Sequence, residues 1–132
     1  MLQKEFNIPF QNSLVAAGFP SPADDFLEEP INLNRLLIKH PSSTFFLRVS
    51  GDSMIGAGIF DKDLLIVDRS LAPSSGKIII AAIDGELTVK RLIIKNKQIF
   101  LSPENPSYDE IIIQDPSSLH VWGVVTTVIH SV

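Results

Sequence analysis

The chain of 132 residues contains no cysteine, so disulfides and thiol catalysis are excluded, and the composition fits a reducing compartment. It also has no long apolar run. The greasiest stretch, Ile78 to Ile83, is strand-sized and far short of the roughly 20 residues that a membrane-crossing helix needs. Met1 to Phe10 carries Lys4, Glu5 and Pro9, and so has no signal-peptide core. An excess of positive charge is missing as well. With a net charge of -4 and a pI near 5.2, there is no general attraction to nucleic acid. The expectation is a soluble, cytoplasmic protein with no membrane association and no direct sequence-specific DNA binding.

What is present suits one domain with one core. Residues 1–30 read as a flexible N-terminal arm. Met1 to Phe10 follows neither period, and Phe19-Pro20-Ser21-Pro22-Ala23-Asp24-Asp25 cannot continue a helix or a central strand, because proline lacks the N–H donor. Ser13 to Gly18 between them is small-residued and able to lie extended. Residues 31–132 read as a β-rich domain. Asn32 to Lys39 is expected to form one short helix, capped by Asn32, with Leu33, Leu36 and Leu37 on one face and Pro41 as the stop. From Thr44 the period is two, placing Phe45, Leu47 and Val49 opposite Phe46, Arg48 and Ser50. Further strands are expected at Leu64 to Val67, Lys77 to Ile83, Glu86 to Ile94, Gln98 to Leu101, Ile111 to Ile113 and His120 to Ile129. Asp84-Gly85 is a strong two-residue hairpin signal. Many short strands and little helix point to a mostly-β, partly curled structure.

Chemistry concentrates on Ser53 and Lys90. Gly51 permits a sharp turn that presents Ser53, and Met54-Ile55 returns at once to apolar residues, so the turn is packed. A serine hydroxyl needs a base within hydrogen-bond reach. His40, His120 and His130 lack motif context and read as surface or strand-end residues, His40 beside the last helical carbonyls. A lysine serves only when neutral, and burial among apolar side chains lowers its pKa. Lys90 is flanked by Val89, Leu92, Ile93 and Ile94. Alternation alone does not separate it from Arg91, but arginine keeps its proton and cannot be a base. The plain alternatives are a turn serine and a strand-edge lysine that blocks aggregation. Asp61 and Asp63, around Lys62, read as solvated turn carboxylates rather than metal ligands.

Three segments, in order, carry a resemblance: Ala17-Gly18, Val49-Ser50-Gly51-Asp52-Ser53-Met54, and Asp84 to Leu92 with Thr88-Val89-Lys90-Arg91-Leu92. Over about Ala16 to Val128 the chain resembles the LexA/UmuD family of self-cleaving serine peptidases. The resemblance implies curled antiparallel or mixed sheets of the LexA C-terminal-domain type. It also implies a Ser53 nucleophile, a Lys90 base, an oxyanion site at the main-chain N–H groups of Asp52 and Ser53, and a scissile Ala17–Gly18 bond, with no metal and no cofactor. The family commonly places glycine where this chain has Lys62. Too few residues precede Gly18 for the DNA-binding domain of the repressor members, so the short-armed, UmuD-like branch is the expectation. That branch implies a homodimer, self-cleavage stimulated by RecA filaments on single-stranded DNA in the SOS response, and partnership with a UmuC-type translesion DNA polymerase. The competing reading is a non-catalytic polymerase-interaction subunit with an unused dyad. An esterase of the Gly-Asp-Ser-Leu type is disfavoured, because Asp115 to His120 has the wrong spacing.

Overall fold

The computed structural model describes residues 6–11, 14–19 and 27–132. The chain falls into two compact units, Met1–Lys39 and His40–Val132. In the first, β1 (Phe10–Gln11) pairs antiparallel with β2 (Leu27–Glu28). Leu14 to Phe19 has no regular secondary structure. Pro20 to Asp25, expected to interrupt any element, lies outside the described residues, as does the opening run Met1 to Glu5. The helix α1 spans Leu33–Leu37, and the Asn32 side chain accepts from the Arg35 N–H at 3.3 Å as its N-cap. It ends earlier than expected: Ile38 already has extended backbone angles, and its N–H closes the last turn on the Asn34 carbonyl.

The second unit is a seven-stranded, wholly antiparallel sheet. Its strands are β3 (Thr44–Arg48), β4 (Leu64–Asp68), β5 (Ile78–Ile83), β6 (Glu86–Lys95), β7 (Gln98–Ser102), β8 (Ile111–Ile113) and β9 (Leu119–Ile129). They lie in the order β3-β4-β9-β5-β6-β7-β8, so the last strand is inserted between β4 and β5. This is the mostly-β class that the strand spacing indicated, and no parallel pairing occurs among the described strands. Asp84 and Gly85 take φ of 49° and 84°, and Asn96 and Lys97 take 51° and 64°. Both hairpins thus use turns whose twist matches that of the strands.

Two hydrophobic clusters form. One gathers Val49, Met54, Ile59, Leu65, Val67 and Ile80, with Phe45, Leu47 and Val89 packed against it. The other gathers Ile79, Ala81, Leu92, Leu101, Ile113 and Val124. The alternation read for β3 holds: Phe45 and Leu47 face the first cluster, whereas Phe46 is 52% exposed. The first cluster joins residues of β4, β5 and β6. Two strands, β9 and β5, lie between β4 and β6, a separation of roughly 14 Å in a flat sheet. Curling closes that distance. Bulges in β9, where Val67 pairs with Val125 after Ile66 has paired with Thr127, and Ala81 with Val121 after Ile80 with Gly123, bend the sheet at its centre. The bend brings the β3–β4 connection over β6. Among the described residues, no helix is long and apolar enough to cross a membrane.

Candidate active site

Ser53 sits in the β3–β4 connection, on a turn that runs from Gly51 into a short 3-10 helix, Ile55–Ala57. Gly51 has φ of 100°, a left-handed conformation that glycine adopts without steric cost. Its N–H donates to Asp61 Oδ1 at 2.8 Å. Met54 and Ile59 are buried in the first cluster and pin the turn from below. The base of the connection is closed by Val49 N–H to the Asp63 carbonyl and Lys62 N–H to the Val49 carbonyl, each 2.8 Å. Lys62 holds φ of 71°. A glycine would hold this left-handed conformation without the steric cost that a Cβ brings.

Lys90, on β6, is only 8% exposed. Its Nζ lies 3.0 Å from Ser53 Oγ, 2.9 Å from Thr88 Oγ1 and 3.0 Å from the Val89 carbonyl oxygen. Burial pushes its pKa below the ordinary lysine value. All three neighbours are oxygen atoms. In the neutral form of the amine, two N–H groups donate to Thr88 Oγ1 and the Val89 carbonyl, and the lone pair is left for the Ser53 hydroxyl proton. The Val89 carbonyl can only accept, which fixes one of those donors.

Alternation sends the adjacent residue the other way. Arg91 donates from Nε to Glu104 Oε1 at 2.5 Å and from Nη1 to the Gly76 carbonyl at 2.6 Å. The ambiguity between Lys90 and Arg91 in the sequence is thus resolved in space: only Lys90 turns toward Ser53. A cleft of about 250 Å³ opens beside the pair, with Leu47, Leu65, Ile80, Leu87 and Val89 among its walls. None of the hydrogen bonds among the described residues uses the N–H of Asp52 or of Ser53. Ala17 and Gly18 lie at an exposed bend of the N-terminal unit, where nothing comes within 4 Å of a Cβ built on Gly18.

Other residues shape the site without having stood out in the sequence. The loop after β7 grips the Ser53 turn. Glu104 N–H donates to the Ser53 carbonyl at 2.8 Å, Gly56 N–H to the Glu104 carbonyl at 2.7 Å, and Asn105 Nδ2 to the Asp52 carbonyl at 2.9 Å. The Tyr108 hydroxyl donates to the Asp52 carboxylate, which raises the tyrosine pKa. That loop was legible only as a proline-flanked connection, because its partners are about 50 residues upstream. Thr88 could have been found from strand alternation, since it shares a side of β6 with Lys90.

Two sequence expectations are corrected. Asp63 is not solvated: it is buried and accepts from the Phe60 N–H at 2.7 Å and faces His130 Nδ1 at 2.5 Å. Burial pushes its carboxyl up, but these two partners outweigh that and hold it below the ordinary value. His40 does not serve the helical carbonyls; its Nδ1 lies 2.5 Å from the buried Asp68 carboxylate. Sequence patterning missed both pairs because each joins a half-exposed imidazole to an aspartate on a distant segment. Among the described residues, no group of three or more His, Cys, Asp or Glu side chains could hold a metal ion.

The Peptidase S24-like family model matches residues 9–126. The chain is similar to Protein MucA of Salmonella typhimurium, 46% identical over 121 residues, covering 91% of this chain and 82% of that protein. It is similar also to Protein ImpA of Escherichia coli, 49% identical over 114 residues, covering 86% of this chain and 77% of that protein. The LexA repressor of Clostridium perfringens is 41% identical over 105 residues, covering 80% of this chain and 52% of the repressor.

Proposed function

The chain belongs to the Peptidase S24-like family of LexA/UmuD-type serine peptidases, and from that premise we propose that it is a Ser-Lys endopeptidase that cuts its own arm at Ala17–Gly18. Neutral Lys90 takes the Ser53 hydroxyl proton as Oγ attacks the Ala17 carbonyl carbon, and the bond to the Gly18 nitrogen breaks. The proton passes from Lys90 to the departing Gly18 amine, leaving an ester on Ser53. Water then gives a proton to Lys90 and attacks the ester. The bond to Ser53 Oγ breaks, Lys90 returns the proton to Oγ, and the Ala17 carboxylate is released. The N–H groups of Asp52 and Ser53 stabilise the oxyanion in both steps; loss of one such donor typically costs about 10²–10³ in rate. Neither a cofactor nor a metal takes part.

The observation that carries this reading is the 3.0 Å approach of a buried amine to the Ser53 hydroxyl. The role follows from the UmuD-like resemblance. Cleavage belongs to the cytoplasmic SOS response to DNA damage and is promoted by RecA filaments on single-stranded DNA. The trimmed homodimer then serves a UmuC-type error-prone translesion polymerase. Purified protein held at alkaline pH tests the chemistry. A fragment beginning at Gly18 is expected, and it is absent from Ser53→Ala, Lys90→Ala and Gly18→Glu. A chain that stays intact at every pH supports instead a subunit that only binds a polymerase. Normal cleavage by Lys90→Ala assigns the base to another residue.

A further inference from the structure

We propose that Glu104, held by Arg91, is a positioning residue for the nucleophile turn, a role that rests on the peptidase reading above. The turn carrying Ser53 lies outside the sheet and has no ladder of its own. Two main-chain bonds from a single residue bracket it: Glu104 N–H to the Ser53 carbonyl at 2.8 Å, and Gly56 N–H to the Glu104 carbonyl at 2.7 Å. The approach is close enough that a Cβ on Gly56 would stand 2.6 Å from the Glu104 carbonyl oxygen. Asn105 and Tyr108, on the same loop, hold Asp52.

What fixes Glu104 is its carboxylate, 2.5 Å from Arg91 Nε, while Arg91 Nη1 reaches the Gly76 carbonyl at 2.6 Å. Arg91 directly follows Lys90. Consecutive residues of one strand point to opposite sides, so β6 carries the amine that meets Ser53 Oγ and, one residue on, the cation that steadies the clamp on the Ser53 carbonyl. Displacement of the clamp would move Oγ relative to Lys90 and would re-aim the N–H groups of Asp52 and Ser53. Misplacement of reacting groups by about 1 Å can cost roughly 10²-fold in rate.

The test uses the full chain with Arg91→Ala, Glu104→Ala and the swapped pair Arg91→Glu with Glu104→Arg. It follows self-cleavage across an alkaline pH series and amide hydrogen exchange at Gly56. Each single variant is expected to cleave about tenfold more slowly with an unmoved pH midpoint, and to exchange the Gly56 proton faster. The swap should recover much of both. Should Glu104→Ala fail to fold, Glu104→Gln, which keeps an acceptor for Arg91 without the charge, is expected to fall between wild type and Arg91→Ala. Wild-type rates and exchange in Arg91→Ala overturn the positioning role alone. So does a shifted midpoint with an unchanged plateau, since Arg91 would then act by its charge on Lys90. A wild-type chain that never cleaves overturns the peptidase reading, and the positioning role with it.

Discussion

The hydroxyl oxygen of Thr88 lies 2.9 Å from the Nζ of Lys90, two residues along the same strand. As an acceptor, that oxygen helps to aim the amine lone pair at Ser53. It also stabilises the ammonium form, which offers one more donor. Thr88→Val therefore has two separable effects on self-cleavage. The plateau rate should fall by about tenfold, because the amine loses one of its two anchors. The pH midpoint should move down, because the charged form loses an acceptor while remaining buried. Thr88→Ser should keep both features near wild type. A pH–rate profile of fragment release reads them together, and an unchanged profile for the valine variant would remove Thr88 from the site.

Lys90 carries a stability cost as well as a chemical role. Its folded pKa lies below the ordinary lysine value because burial disfavours the charge. Between the folded and the unfolded pKa the unfolded chain binds more protons, so stability rises with pH across that window. Lys90→Met should abolish cleavage and melt a few degrees above wild type at pH 7. The gap should shrink as pH rises toward the ordinary lysine value of 10.5, where the unfolded chain gives up its proton as well. Thermal melts at pH 7, 8.5 and 10 check this. A variant less stable than wild type at pH 7 would mean that the amine's hydrogen bonds outweigh its desolvation.

Asp68 predicts the acid limb. The Ser70 hydroxyl donates to its carboxylate at 2.6 Å and His40 faces it at 2.5 Å, and these contacts hold its pKa at about 2. A depressed carboxylate contributes stability that is present above its ordinary value of 3.8 and is lost as pH falls through about 2. Asp68→Asn should melt below wild type at pH 6 and converge with it as pH falls from about 4 to 2. Parallel curves across that range would show that Asp68 does not set the acid limb.

Much of this was legible in the sequence, and the limits have a physical cause. Strand β3 followed from period-two patterning, and β4 to β9 from short apolar runs and from turn residues such as Asp84-Gly85, because backbone propensity and side-chain burial act over a few residues. The meeting of Ser53 with Lys90 did not follow from patterning, since it depends on bulges in β9 that curl the sheet. Only resemblance joined the two residues in advance. The pairs His40–Asp68 and His130–Asp63, and the grip of Glu104 on Ser53, span distant segments and leave no local periodicity to read. Helix α1 ran short because a cap marks where a helix starts more firmly than a distant proline marks its end.

Lys62 offers a change that should strengthen the fold without touching the chemistry. It sits between two bonds that shape the β3–β4 connection: its N–H meets the Val49 carbonyl at 2.8 Å, and its carbonyl accepts from Arg48 Nη1 at 2.9 Å. Both are main-chain contacts on the lysine side, so the side chain is dispensable. Its φ of 71° costs a non-glycine residue roughly 1–2 kcal/mol. Glycine removes that cost but adds about 0.5–1 kcal/mol of unfolded-chain entropy. Lys62→Gly should therefore gain between about 0 and 1.5 kcal/mol. Lys62→Val, β-branched in a left-handed conformation, should lose stability. Denaturant unfolding of the three proteins orders them as glycine, lysine, valine, and cleavage by the glycine variant should match wild type. If valine were as stable as lysine, the turn would not require the left-handed conformation.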